Sequence, residues 1–292
     1  MNSLIEGPQK IEFDEDSLLG ALYLSTGRHF RRSELYLDPN LQKTDDFKKQ
    51  LNYITEKRLS GMPLSYIIGS SNFFGREYFV NPSVIIPRPE TEILVDKVVE
   101  RFRNNRLKDA SLFGAEIGLG SGVISIEILK QLTATKMVAT EVCSSARGVS
   151  RRNACQILGD DWFEKLEMVS PVSSLDVIDS LLGRLKLNRS KLDFLVSNPP
   201  YISGIDEIEI GVLEFEPHKA LFPANCRANY FYSEIAKISS EYFRENGFIA
   251  VEIPHQRYES ISAIFQENDW MVDIQEDLTG RPRVLIASKI ER

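Results

Sequence analysis

Leu192-Asp193-Phe194-Leu195-Val196-Ser197-Asn198-Pro199-Pro200-Tyr201 is a run of strand-forming residues closed by an asparagine, two prolines and a tyrosine. Proline has no N–H and a fixed φ, so the strand ladder stops at Pro199 and the polar tip is displayed at the strand's end. In an open α/β sheet the carboxyl ends of the strands are where ligands bind. Alone, the stretch reads equally well as a strand exit punctuated by prolines. The residues on either side separate the two readings.

Outward from this stretch the chain alternates strand and helix. Residues 112–117 read as a short strand, Gly118 to Gly122 as a turn and 123–132 as an apolar helix. Residues 137–141 make a second strand ending in Glu141, 144–158 a helix closed by Gly159, 166–169 a third strand, and 175–185 a helix. After the fourth strand, 229–246 read as a helix stopped by Gly247, 248–253 as a strand, 258–268 as a helix, and 270–275 with 283–287 as closing strands. Such alternation implies a doubly wound sheet with right-handed crossovers.

Toward the N-terminus the texture differs. Leu18, Leu19 and Leu22, and again Phe47, Leu51 and Ile54, recur at helical spacing, with Gly27, Pro39 and Gly61 as punctuation. Residues 66–86 are rich in aromatic and β-branched side chains, with turns at Gly69, Gly75 and Asn81-Pro82-Ser83, which suggests a hairpin. Pro87 and Pro89 hold Arg88 extended, and Glu90-Thr91-Glu92 opens a helix with acids in its first turn. The expected organisation is therefore a helical N-terminal domain over 1–62, a hairpin and Pro-rich linker over 63–92, and an α/β domain over 93–292.

A chain of 292 residues with 42% hydrophobic and 26% charged residues has the balance of a globular protein. No apolar run reaches transmembrane length, and Met1 to Gly7 lack a basic or Arg-rich leader pattern, so a cytoplasmic protein without a membrane partner is expected. A monomer is expected as well. Cys143, Cys155 and Cys226 are free of C-x-x-C spacing and His29, His218 and His255 lie far apart, which indicates neither a disulfide framework nor a metal site. The net charge of −7 argues against affinity built on neutralising a nucleic-acid backbone. The basic run from Arg101 to Lys108 reads as the solvated end of a helix.

Two constellations carry chemistry. Glu116-Ile117-Gly118-Leu119-Gly120-Ser121-Gly122 follows the first strand, where glycines permit a tight turn and close approach of a ligand to backbone. A dinucleotide fingerprint would need glycine where Val123 stands. An acid-headed loop with alternate glycines, Leu119 and Ser121 between them, instead suits a nucleoside without phosphate, such as S-adenosylmethionine, and Glu141 is placed to accept hydrogen bonds from ribose hydroxyls. In the second constellation, the Asn198 side-chain oxygen and the Pro199 carbonyl can accept both N–H groups of a planar nitrogen and orient it toward an electrophilic methyl. Pro200 continues the rigid backbone and Tyr201 would stack on the planar group. The sulfonium supplies the reactivity, so no metal is called for.

With these residues on view, the chain resembles the HemK/PrmC-type N5-glutamine methyltransferases. The likeness runs through Arg58, Pro63, Tyr66-Ile67, Gly69, Phe74-Gly75, Ile86-Pro87-Arg88-Pro89-Glu90-Thr91-Glu92, the glycine loop, Asn198-Pro199-Pro200-Tyr201-Ile202, Phe215-Glu216-Pro217 with Ala220-Leu221, Glu252, Gln256, and Asp277-Leu278 with Gly280 and Arg283. The resemblance implies a seven-stranded Rossmann-like methyltransferase domain behind a small helical domain and a β-hairpin linker. It implies methylation of the glutamine in the Gly-Gly-Gln loop of class I peptide chain release factors. By the same resemblance Gly118, Gly120, Gly122, Glu141 and Asn198 line the cofactor site, and Asn198 to Tyr201 hold the glutamine amide. Arg88, Glu90, Glu216 and Pro217 are assigned to the substrate cleft.

Departures from the family pattern are specific. Glu116 and Glu141 stand where aspartates are usual, and Ser170-Pro171-Val172 follows the third strand where an acid is usual. Trp162 and the 170–172 segment are thus two candidates for packing on adenine. Phe222-Pro223-Ala224-Asn225-Cys226 replaces a glycine-rich stretch, and Glu252-Ile253-Pro254 replaces Glu-Ile-Gly. Alternative functions are an N6-adenine methyltransferase acting on DNA or RNA, since the same geometry holds a flipped adenine amino group, and a binding homologue that has lost catalysis.

Overall fold

A computed structural model of the chain describes residues 14–104, 111–202, 214–222 and 229–289. Residues 105–108 of the basic run, and 223–226 of the loop after Leu221 with Cys226 among them, lie outside the described residues. Two compact units emerge, Met1–Ser70 with Glu209–Phe215, and Ser71–Ile208 with Glu216–Arg292. Among the described residues no helix is long and apolar enough to cross a membrane.

The first unit holds α1 (Glu15–Thr26), α2 (Arg32–Leu37), α3 (Asp45–Leu59) and α4 (Leu64–Ile68). Asp14 caps α1 by accepting from the Ser17 N–H at 2.7 Å, and Thr44 caps α3 by accepting from the Phe47 N–H at 3.1 Å. These bonds satisfy donors that a helix start leaves free. Leu22, Phe47, Leu51 and Ile54 form the buried core, and Leu18 and Leu19 pack at its margin. Residues 66–68 are helical rather than part of the hairpin. Gly69 ends α4 in the left-handed region at φ 71°, and Ile67 buries in the helical core. Burial in this core outweighs the strand preference of its aromatic and β-branched side chains.

A two-stranded ribbon, β1 (Ser70–Phe73) and β2 (Arg76–Phe79), turns through Phe74 and Gly75, both at positive φ, as a two-residue hairpin requires. The Phe74 N–H donates to Glu92 on α5 (Pro89–Asn104) at 2.6 Å, tying the turn to that helix.

The second unit is built on a sheet of β3 (Phe113–Ile117), β4 (Lys136–Thr140), β5 (Leu166–Val169), β6 (Leu192–Ser197), β7 (Phe243–Glu252), β8 (Trp270–Glu276) and β9 (Pro282–Lys289) in the order β5-β4-β3-β6-β7-β9-β8. Neighbours from β5 to β7 run parallel, and β9 runs antiparallel to β7 and β8. The expected seven-stranded α/β fold is therefore the observed one. Side chains of β6 alternate between two apolar layers. Phe194 and Val196 join α5, α6 (Val123–Gln131) and α7 (Ser144–Leu158), and Leu195 joins α8 (Val177–Asn188), α10 (Tyr230–Ala236) and α11 (Tyr258–Gln266) on the other face. The short α9 (His218–Leu221) precedes α10.

One expected element is different. The helix over 229–246 ends at Ala236, and β7 begins at Phe243 with a register shift in its pairing to β6 between Leu192 and Phe194. A Cβ on Gly247 would lie 2.8 Å from the Phe243 Cβ and 2.9 Å from the Leu192 carbonyl oxygen. Gly247 is thus a point of close backbone approach within a strand, not a helix stop.

Gly114 is similarly constrained, since a Cβ there would lie 2.2 Å from the Phe194 ring. Gly114→Ala is expected to lower the unfolding free energy by ~1–3 kcal/mol through overpacking. Gly183→Ala, at an exposed position of α8 with nothing within 4 Å of the new Cβ, is expected to raise it by ~0.5–1 kcal/mol. Urea denaturation of the two variants checks the contrast.

Candidate active site

From β3 the chain crosses to β4 and β5 on one side of the sheet and then returns to place β6 on the other. The reversal makes the carboxyl ends of β3 and β6 the topological switch point where open α/β sheets bind ligands. Ile117 pairs with Thr140 on one side and Ser197 on the other. Gly118, Glu141 and Asn198, each the next residue of its strand, therefore emerge along one edge.

A cavity of about 300 Å³ opens at this edge. Of the expected site residues, Glu116, Gly118, Leu119, Gly120, Ser121, Glu141, Asn198, Pro199, Pro200, Arg88 and Pro217 line it; Gly122, Tyr201, Glu90 and Glu216 do not. Neither Trp162 nor residues 170–172 line it either. Val142, Cys143, Ala146, Ser174 and Val177 do line it.

The three loop glycines serve different ends. Gly118 and Gly120 have φ of 82° and 54°, and a Cβ on either would point into open space. They leave bare backbone facing the cavity. Gly122, at φ 85°, is needed for packing, because a Cβ there would meet Ile126 at 3.0 Å and Ser150 at 3.1 Å. Asn153 on α7, fully buried, braces the loop from behind: its amide donates to the Ser121 carbonyl at 2.9 Å and exchanges hydrogen bonds with the Phe79 backbone.

Glu116 is 1% exposed. Its Oε2 accepts from the Ser125 N–H at 3.1 Å and from the Ser125 hydroxyl, while Oε1 has no hydrogen-bond partner among the described residues. Burial pushes its carboxyl up to about 8, against the lowering effect of the Ser125 bonds. Glu141 is engaged by backbone: Oε2 accepts from the Gly120 N–H at 2.9 Å and Oε1 from the Cys143 N–H at 2.8 Å. Each oxygen retains a second lone pair for a ligand donor.

Asn198 is held by two residues to which the sequence assigned no role. Its Nδ2 donates to Glu252 Oε2 at 2.9 Å and to Thr91 Oγ1 at 3.2 Å, and the Thr91 hydroxyl donates to the same Glu252 oxygen at 2.6 Å. With Nδ2 committed, the acceptor oxygen is what the amide has left to offer. Glu252 is 4% exposed, and burial pushes its carboxyl up to about 7. Its position was readable: it ends the apolar strand next to β6, one residue beyond the Val251–Ser197 pair. Thr91 carried no such signal, being one hydroxyl in a helix's first turn.

Arg88 lines the cavity and pairs with buried Glu216 at 2.5 Å, joining the Pro-rich segment to the start of α9. Glu90 turns to Arg283 at 3.6 Å, and Arg283 is held in turn by Asp277 at 2.8 Å. Tyr201 packs at the margin of the α8–α10 layer, its carbonyl accepts from Arg257, and burial pushes its phenol up to about 12.

Residues 10–69 match the family model described as the PrmC N-terminal domain. The release factor glutamine methyltransferase of Aquifex aeolicus is 32% identical over 237 residues, covering 80% of this chain and 77% of that protein. The chain belongs to the release factor glutamine methyltransferase family. The bifunctional methyltransferase of Rickettsia prowazekii is 34% identical over 262 residues, 81% of this chain and 46% of that protein, so the chain spans about half the length of the bifunctional family relatives it matches. In fold, this chain is similar to the N-terminal domain of human METTL16 in complex with SAH, at a TM-score of 0.51 and 17% identity over 75% of this chain and 77% of that one.

An acid whose folded-state pKa is raised holds its proton in the folded state where the unfolded chain has released it, so stability falls as pH rises toward the folded value. With Glu116 at about 8 and Glu252 at about 7, unfolding free energy is expected to fall between about pH 5 and about pH 8. Glu116→Gln is expected to flatten that slope. Urea titrations across the range check it; an unchanged slope in the variant contradicts the assignment.

Proposed function

We propose that this chain is a cytoplasmic enzyme that transfers a methyl group from S-adenosylmethionine to the side-chain nitrogen of the glutamine in the Gly-Gly-Gln loop of class I peptide chain release factors. Family membership supports the substrate. The observation that carries the chemistry is Asn198, its Nδ2 bound to Thr91 and Glu252 at the rim of a cavity floored by Gly118 and Gly120.

The residues present fit the cofactor. The bare backbone of Gly118 and Gly120 leaves room for its amino-acid end, and the buried Glu116 Oε1, which has no hydrogen-bond partner among the described residues, is open to a polar group of the ligand. Glu141 sits one strand away, where ribose hydroxyls would find its lone pairs. When bound, the cofactor supplies a methyl made electrophilic by a sulfonium.

The chain's own part is to position a poor nucleophile. An amide nitrogen is unreactive because its lone pair is delocalised, and two acceptors bound to its N–H groups orient it and stabilise positive charge as that charge develops. Asn198 Oδ1 and the Pro199 carbonyl are those acceptors. Pro200 supplies a flat wall against the planar amide, whereas Tyr201, expected to stack on that amide, lies outside the cavity lining and packs in the α8–α10 layer. The Arg88–Glu216 pair and Pro217 shape the entrance, and the helical unit recognises the release factor. Nucleic acid is not the methyl acceptor in this reading, and the chain acts as a monomer.

Incubation with methyl-labelled cofactor and either a release factor or unmethylated nucleic acid tests the substrate: label is expected on the release-factor glutamine, and label confined to nucleic acid refutes the reading. Asn198→Ala is expected to slow transfer by ~10²–10³-fold, as removal of a positioned polar group does elsewhere, with cofactor affinity nearly unchanged. Full activity in that variant would remove Asn198 from the mechanism.

A further inference from the structure

The same parallel strands that end at the active site begin at the opposite edge of the sheet, and a second cavity of about 480 Å³ lies there. Phe113 and Lys136 start β3 and β4 as a register pair, Lys191 immediately precedes β6, and Arg244 follows Phe243 at the start of β7. All four line the cavity, together with Arg189 and Ser111. Strands of five or six residues separate the two cavities by on the order of 15 Å.

The charge of this cavity is unlike that of the chain. Acids outnumber bases 42 to 35 in the sequence, yet the lining includes Lys136, Arg189, Lys191 and Arg244 and, among the described residues, no carboxylate. Among the described residues, one acid makes a hydrogen bond to the lining side chains. Asp193 accepts from Arg244 Nη1 at 2.9 Å and from the Phe113 N–H at 2.7 Å. Among the described residues, the four lining cations less that carboxylate leave three positive charges. Lys136, Arg189 and Lys191 form no ion pair among the described residues.

The site also has built elements. Arg244 is fixed by Asp193 and by the Ser111 carbonyl at 3.3 Å through Nη1 alone, which leaves the donors on Nη2 and Nε. Arg189 caps α8 in the left-handed region at φ 51°, a conformation uncommon outside glycine. Its backbone is held there by hydrogen bonds to the Leu185 and Lys186 carbonyls.

We propose that this cavity binds phosphate groups, in a ligand that carries more than one of them. A single carboxylate would leave most of the positive charge uncompensated, whereas adjacent phosphates match several cations at once, and guanidinium groups suit phosphate geometry. A free nucleotide polyphosphate and the phosphodiester chain of RNA share this chemistry.

The test is calorimetric titration of the full chain at low ionic strength with inorganic triphosphate and, separately, with a short single-stranded oligoribonucleotide. Binding of at least one is expected, weakening with added salt and weakened by at least ~10-fold in Lys136→Glu/Lys191→Glu. Cofactor affinity of that variant, measured at the far cavity, is expected to stay unchanged and reports that it is folded. Tighter binding of triphosphate identifies a free polyphosphate as the source, and tighter binding of the oligoribonucleotide identifies RNA. No binding of either probe, or equal binding by the charge-reversed variant, overturns the proposal.

Discussion

A buried carboxylate determines which end of the Asn198 amide is free. An asparagine at a strand tip can present either its oxygen or its nitrogen, and the two do opposite chemistry. Glu252 removes the choice: its Oε2 accepts from Nδ2 and from the Thr91 hydroxyl, and it lies on the strand next to the one that ends in Asn198. The register of β6 with β7 is therefore part of the site's chemistry. So is the first turn of α5, which the proline-rich segment delivers and whose Thr91 completes the group.

Placing such an acid inside the protein is costly unless it is hydrogen-bonded or protonated. Glu116 and Glu252 both sit at carboxyl ends of sheet strands and both have carboxyls pushed upward by burial. Glu252 spends its acceptor capacity on Thr91 and Asn198, and Glu116 keeps one oxygen unpartnered. The first arrangement fixes a neighbouring side chain. The second leaves a polar oxygen at the cavity wall open to a ligand.

Much of this was legible in the sequence because the governing signals are local. The β6 strand and its proline stop, the glycine loop, and the 144–158 helix follow from composition and punctuation within a few residues of each feature. Gly122 was legible as a loop glycine but not as a packing one, since Ile126 and Ser150 meet it only in the folded chain. Gly247 misled for a related reason. A glycine after a helical pattern signals a stop, and the close approach of the Leu192 carbonyl that explains it comes from 55 residues earlier in the chain. The group around Asn198 joins residues 91, 198 and 252, so no window of sequence contains it.

If Glu252 acts through Asn198, the two residues form one functional unit and their effects are not independent. The direct measurement is a double-mutant cycle on the methyl-transfer rate at saturating cofactor, using Asn198→Ala, Glu252→Gln and the double variant. The account predicts that Glu252→Gln slows transfer markedly in the parent chain and has little further effect once Asn198 is alanine. Equal fold-losses from Glu252→Gln in both backgrounds would contradict it.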